Sequence, residues 1–283
     1  MKYKVQMYYT KPDPEEIDLE FDRQIRVYED CLPGEIRQDE ITILYIVEPN
    51  EIYGLGDYAV ANYNDFDFIL TSYNEVLDAC PNAIRFEFGS TWIHGYKFKE
   101  KKFGVSTIVG NKQKTYGHLL RYHLWLRRNE ITIPACFYIS AHGGPKNTGN
   151  CPTLGKEAHK KHIAFDTQYH IAIENVSKDY WFTEKLIDCF RTKAVPIYWG
   201  CPAIGDYFNT DGMIIINDAD EMIRKVNSLR PGDYEKMADA IEENYELSKE
   251  FADSPRERMK GKLKELIELA GPARSRPTVR SKA

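Results

Sequence analysis

Short apolar runs recur along this chain between stretches of helical spacing, and that alternation restricts the fold more than any other feature. Tyr3, Val5, Met7 and Tyr9 alternate as in a half-buried strand. Pro12, Pro14 and the acids Asp13, Glu15 and Glu16 predict a turn or helix start. Residues 41–47 form a continuous apolar run, the pattern of a strand covered on both faces. Runs at 66–70 and 83–88 follow, with a helical stretch from 74 to 80 between them. After the connector 97–102, which has four lysines in six residues, the pattern restarts. Strands are predicted at 103–109, 131–139, 170–173, 194–199 and 213–216, with helical patterns around 119–127, 180–193 and 233–269. This is an α/β chain with mostly parallel sheets, in two halves joined near residue 100.

Charge and length narrow the class. The chain has 283 residues and a net charge of −5, from 38 basic and 43 acidic side chains. That balance argues against nucleic acid as a partner, because phosphate binding relies on a basic excess. The stretch 271–283 carries Arg274, Arg276, Arg280 and Lys282 and no acid; without that +4 the rest holds −9. It reads as a disordered basic tail, which leaves a weak membrane-surface contact open. No apolar run reaches the roughly 20 residues of a membrane-spanning helix. The first ten residues lack the apolar block of a secretion signal. The six cysteines (31, 80, 136, 151, 189 and 201) form no C-x-x-C pair and do not cluster with histidine, so reduced thiols and a cytoplasmic protein are expected.

Several short motifs have simpler readings. Gly54-Leu55-Gly56-Asp57-Tyr58-Ala59 fits G-x-G-x-x-A, but the preceding strand ends several residues early and no amphipathic helix is evident after it, which disfavours a dinucleotide site. Asp65-Phe66-Asp67 and Asp218-Ala219-Asp220 have the spacing of a metal-binding acid pair. Helix capping explains the second better. His142-Gly143-Gly144 is similar to an esterase oxyanion loop, yet no G-x-S-x-G occurs in the chain.

The informative stretch is 174–202. It contains Glu174-Asn175, then Trp181, then Thr183-Glu184-Lys185 at the head of an amphipathic segment, and then Val195-Pro196-Ile197-Tyr198-Trp199-Gly200-Cys201-Pro202. A helix N-terminus with a lysine favours an anion, and Glu184 beside it suits sugar hydroxyls. A capped helix with a surface Glu-Lys pair accounts for the spacing equally well.

This stretch resembles the donor-binding signature of the α-1,3-fucosyltransferases, family 10 of the glycosyltransferases. The family pattern runs F-E-N-S-x-x-x-D-Y-x-T-E-K, followed by V-P-[IV]-Y-W-G-x-P in bacterial members. The likeness spans residues 40–220, more weakly outside the motif. Asp179-Tyr180 stands one position off the pattern, which puts Trp181 in the place of the family's tyrosine. The resemblance implies a GT-B-like fold, two Rossmann-like domains facing across a cleft: an acceptor-side domain at 1–100 and a donor domain with C-terminal helices at 101–270. It also implies inverting, metal-independent transfer of fucose from GDP-fucose to a hydroxyl of a glycan acceptor, with no cofactor. By position, Lys185 would meet the diphosphate, with Arg121 as a second cation. Glu184 and Asn175 would meet the ribose or sugar, and Glu174 and Trp181 complete the donor set. The place of the family base falls on Glu48, with Glu51 a rival three residues on. The lack of an apparent anchor resembles soluble bacterial or viral members.

One carboxylate must take the acceptor's hydroxyl proton while the nucleotide diphosphate leaves, and cations must balance that leaving group. A surface acid and a surface helix arginine are the plainer readings of Glu48 and Arg121. Two other functions stay open: a same-fold transferase using another nucleotide sugar, and a catalytically silent nucleotide- or carbohydrate-binding protein.

Overall fold

The computed structural model describes residues 2–9, 13–37, 39–146 and 148–270. The basic tail 271–283 lies outside them, as do the residues at 10–12. The chain divides into two compact units. One is the chain up to Phe86 joined by a late helix, Pro255–Ala270; the other is Glu87–Ser254.

In the first unit, strands β1 (Tyr3–Tyr8), β2 (Glu15–Phe21), β3 (Ile25–Glu29), β4 (Ile41–Ile46), β5 (Phe68–Thr71) and β6 (Ala83–Arg85) form one sheet. Their order is β2-β1-β3-β4-β5-β6, with only β2 antiparallel to its neighbour. All six residues of β4 are buried, as expected of a central strand. Of the turn or helix start expected from the prolines and acids near residue 14, no helix forms: the chain bends at Asp13 and enters the edge strand β2 at Glu15. There Ile17, Leu19 and Phe21 alternate with Asp18 and Glu20, and that period of two outweighs the local helix-start chemistry. No apolar run marks β3 in the sequence; there Ile25 and Val27 are fully buried while Arg26 pairs with Glu40 at 3.0 Å. Short helices α1 (Asn50–Tyr53), α2 (Leu55–Asn62) and α3 (Asn74–Ala79) connect the later strands.

The second unit holds β7 (Lys102–Val109), α4 (Tyr116–Leu126), β8 (Ala135–Ile139), β9 (Thr167–Ile173), α5 (Glu184–Arg191), β10 (Val195–Trp199), β11 (Ile214–Ile215), α6 (Ala219–Ser228) and α7 (Ala238–Leu247). Its sheet is wholly parallel, in the order β11-β10-β9-β7-β8. Both faces are covered. On one face Tyr169, Ile171 and Ile173 of β9 and Val195 and Ile197 of β10 join Leu120, Leu124 and Trp125 of α4 and Met222 and Val226 of α6. On the other, Ala172 and Tyr198 join Leu186, Ile187 and Phe190 of α5. Burying each of these large apolar side chains contributes roughly 1.5–3 kcal/mol.

The first strand of this unit, β7, lies between β8 and β9, so the strand order reverses beside β9. In open parallel sheets a ligand crevice forms outside the carboxyl ends of the strands at such a reversal. In the first unit the parallel strands progress in one direction. The late helix α8 (Pro255–Ala270) returns to that first unit, where Arg256 pairs with Glu15 of β2.

Candidate functional site

The carboxyl end of β9 gathers most of the residues singled out from sequence. Its next residue, Glu174, is fully buried. The Thr183 backbone N–H donates to Glu174 Oε1 at 2.8 Å, and the Thr183 hydroxyl donates to Oε2 at 2.7 Å. Thr183 is the N-cap of α5, accepting from the Lys185 N–H at 3.4 Å. The Lys185 ammonium donates to Thr183 Oγ1 at 2.9 Å and to Glu184 Oε1 at 3.2 Å, and lies 3.5 Å from Glu174 Oε2. Burial pushes the Glu174 carboxyl above its ordinary range, and Lys185 opposes that. Glu174 is thus a buried anchor for the cap of α5 rather than a surface for ligand, and Lys185 is oriented by three oxygen partners.

Arg121, on α4, reaches the same strand end. Its guanidinium donates to the Ile173 carbonyl and, at 2.7 Å, to Asn175 Oδ1. Burial draws its pKa down to about 10 while Glu174 and Glu184 act the other way, so it stays charged at neutral pH. Two glycines permit this packing. A Cβ on Gly117 would lie 1.8 Å from the Glu174 carbonyl oxygen, and one on Gly200 would lie 2.6 Å from Glu174 Cγ. Thr115 caps α4 in a reciprocal box with His118, and the Gly117 N–H donates to the Asn175 carbonyl at 3.0 Å.

Positive charge converges here. Burial depresses His118 to about 4, and Arg121, Lys112, Lys185 and Lys114 push in the same direction. Burial alone would raise Glu184, but Lys185 and Lys161 hold its carboxyl at about 2. Lys161 pairs with fully buried Asp188 at 2.7 Å. Asp188 also accepts from the Thr91 hydroxyl at 2.7 Å and from the Trp92 N–H at 2.8 Å. Beside Glu174, whose N–H donates to the Trp199 carbonyl, Trp199 meets the exposed Tyr116 with ring centroids 5.2 Å apart. Sequence reasoning passed over Lys112, Lys114 and Lys161, which carry no motif.

Trp181 is only 2% exposed and belongs to the interior. The half-buried turn before it is made by Tyr180, at φ 61°. Arg121, Glu174, Asn175, Glu184 and Lys185 therefore cluster, with Trp181 packed inside the same segment.

Glu48 belongs to the first unit, two residues past the end of β4, and is half-buried. Its N–H donates to both carboxylate oxygens of Asp30. Glu51, on α1, is exposed. The glycine motif does not fit a dinucleotide turn: Gly54 closes α1 at φ 68° instead of joining a strand to a helix. A helix does follow it, α2, where no amphipathic pattern was evident from sequence. Asp218 caps α6 as expected, and Asp67 accepts the Thr42 N–H at 2.8 Å. No helix among the described residues is long and apolar enough to cross a membrane.

By likeness to solved structures the chain has a GT-B-type fold. Within that class it is similar to α-1,3-fucosyltransferases. Over 68 residues it is 34% identical to the α-(1,3)-fucosyltransferase FucT of Helicobacter pylori; this stretch is 23% of the chain and 14% of that relative. A crystal structure of an α1,3-fucosyltransferase matches 90% of the chain and 81% of its own length, with a TM-score of 0.58 and 16% identity. The GDP-fucose complex of an α1,3-fucosyltransferase matches 89% of the chain and 80% of its own, at 0.56 and 16%. The OtsA structure matches 87% and 73%, at 0.59 and 9% identity, and shares the fold alone. No family model matches the chain.

Proposed function

We propose that this chain is a glycosyltransferase that moves L-fucose from GDP-fucose to a hydroxyl of a glycan acceptor, with inversion and without a metal ion. The observation that carries the reading is the meeting of Lys185, Glu184, Arg121 and Asn175 where β9 ends and α5 begins. Two cations, a helix N-terminus and two polar side chains suit a sugar diphosphate at the reversal of a parallel sheet. The likeness to α-1,3-fucosyltransferases supports fucose and guanine as the donor's parts.

In this reading Lys185 and Arg121 take up the charge that grows on the diphosphate as the C1–O bond to phosphate breaks. The electron pair of that bond leaves with GDP. The acceptor oxygen forms the new bond at C1 from the opposite side and gives its proton to the Glu48 carboxylate. Glu184 and Asn175 hold hydroxyls of the sugar or ribose. Glu174 acts through Thr183 by fixing the α5 cap, and Trp181 backs the same turn.

The test is GDP release from GDP-fucose in the presence of glycan acceptors, with the anomeric configuration of the product read by NMR. An inverted fucoside, formed in EDTA and lost in Glu48→Gln, is expected. Nucleotide binding without turnover for any donor would instead favour a silent binding protein.

A further inference from the structure

Asp30 follows β3 directly and occupies the left-handed region, at φ 49°. Its Oδ1 accepts from the Val47 N–H at 2.8 Å and the Glu48 N–H at 3.1 Å, and its Oδ2 accepts from the Glu48 N–H at 3.0 Å. The Asp30 N–H donates to the Tyr45 carbonyl, and the buried Tyr73 hydroxyl donates to the Val47 carbonyl at 3.2 Å. The backbone entering Glu48 is therefore held by one carboxylate on its amides and one phenol on its carbonyl. An aspartate in a left-handed turn costs conformational energy, and such strain persists where surrounding contacts fix it.

We infer that Asp30 is a positioning residue for the reaction proposed above: its carboxylate grips the Val47 and Glu48 amides and so aims the Glu48 carboxylate. The inference rests on Glu48 being the base. A proton on Oδ2 would put a donor against the Glu48 N–H and remove the charge from the bonds that Oδ1 accepts, so the grip is strongest in the ionised form. Burial lifts Asp30 to about 6. The groups facing it are Glu29 and Cys31 on its own stretch, Glu48 beyond β4, and Tyr73 before α3. Glu15 of β2 acts on neighbouring Glu29 and is itself paired with Arg256 of α8.

Asp30→Asn and Asp30→Gly both suit a positive φ and so retain the turn, yet neither has a carboxylate. With GDP-fucose and an acceptor, each should lower kcat by about 10–100-fold at pH 8 with donor KM unchanged, the size expected of a misaimed group. As pH falls through 6, the wild type should lose the grip and the ratio of wild type to Asp30→Asn should shrink toward one. A ratio constant from pH 8 to pH 5 overturns the inference, because a purely structural role has no such dependence. A loss as deep as that of Glu48→Gln, about 10²–10⁴-fold, also overturns it and makes Asp30 itself the base. NMR of deuterated, 15N-labelled protein without donor supplies a readout that needs no turnover. The Val47 and Glu48 amide protons should show a shift component with a midpoint near that of Asp30, and that component should be missing in Asp30→Asn. Flat amides in the wild type defeat the inference even if transfer is observed. Absence of transfer by the wild type, with titrating amides, defeats the assigned reaction and leaves the grip on the loop standing.

Discussion

The α-carbon of Gly117 faces the carbonyl oxygen of Glu174 so closely that an added methyl would sit 1.8 Å from it. Through this contact the first turn of α4 closes on the end of β9, which brings Arg121 to Asn175. Backbone oxygen cannot swing aside as a flexible side chain can. Gly117→Ala should therefore cost about 1–3 kcal/mol through overpacking and weaken GDP binding as Arg121 shifts. All four tryptophans lie in the second unit, so the urea midpoint by tryptophan fluorescence reports on it. An unchanged midpoint would contradict this packing.

Thr183 connects Glu174, Lys185 and the cap of α5 through one hydroxyl. Thr183→Ala removes the cap and leaves a buried carboxylate short of a donor, a loss of about 1–3 kcal/mol. Thr183→Ser should restore most of the thermal midpoint and the GDP affinity, since the hydroxyl rather than the methyl makes these bonds.

His118 has a defined acid response. Its pKa is depressed from 6.5 to about 4 in the folded state, so the unfolded chain binds the extra proton first. The stability this contributes is present above pH 6.5 and is lost as pH falls toward 4, on the order of 3 kcal/mol in full. Urea midpoints measured between pH 7 and pH 4 should drop, and His118→Gln should drop less over that range. Buried His170, depressed to about 3, adds its own acid loss in both proteins.

Trp181 separates packing from binding. Because it is interior, Trp181→Phe should lower the thermal midpoint and leave GDP affinity within about twofold of the wild type, given that Lys185 and Arg121 do not move. A large loss of affinity at unchanged stability would return Trp181 to the ligand surface.

The sequence made the strand-helix alternation legible because β4, β9 and β10 are buried on both faces and read as apolar runs. The Thr183-Glu184-Lys185 cap was legible because capping is local. What escaped depends on distant partners. The Arg26 of β3 hides a central strand until Glu40 is seen beside it. Asp30 looks like a surface acid until the backbone of Val47 and Glu48 closes on it. Lys161 gains its place through Asp188 and the Trp92 ring, and Gly117 through the end of β9. Glu174 was found by its motif, but its burial and its role as an anchor come from Thr183. Nothing in the C-terminal helical pattern signals that α8 returns to the first unit.

In the proposed reaction a guanine nucleotide binds where Lys185 and Arg121 meet the end of β9. Calorimetric titration with GDP and UDP in EDTA, on the wild type and on Lys185→Ala, tests it most directly. GDP should bind in the presence of EDTA, UDP should bind more weakly, and Lys185→Ala should lose the GDP signal. GDP binding that survives the substitution, or a wild type that binds neither nucleotide, contradicts this site.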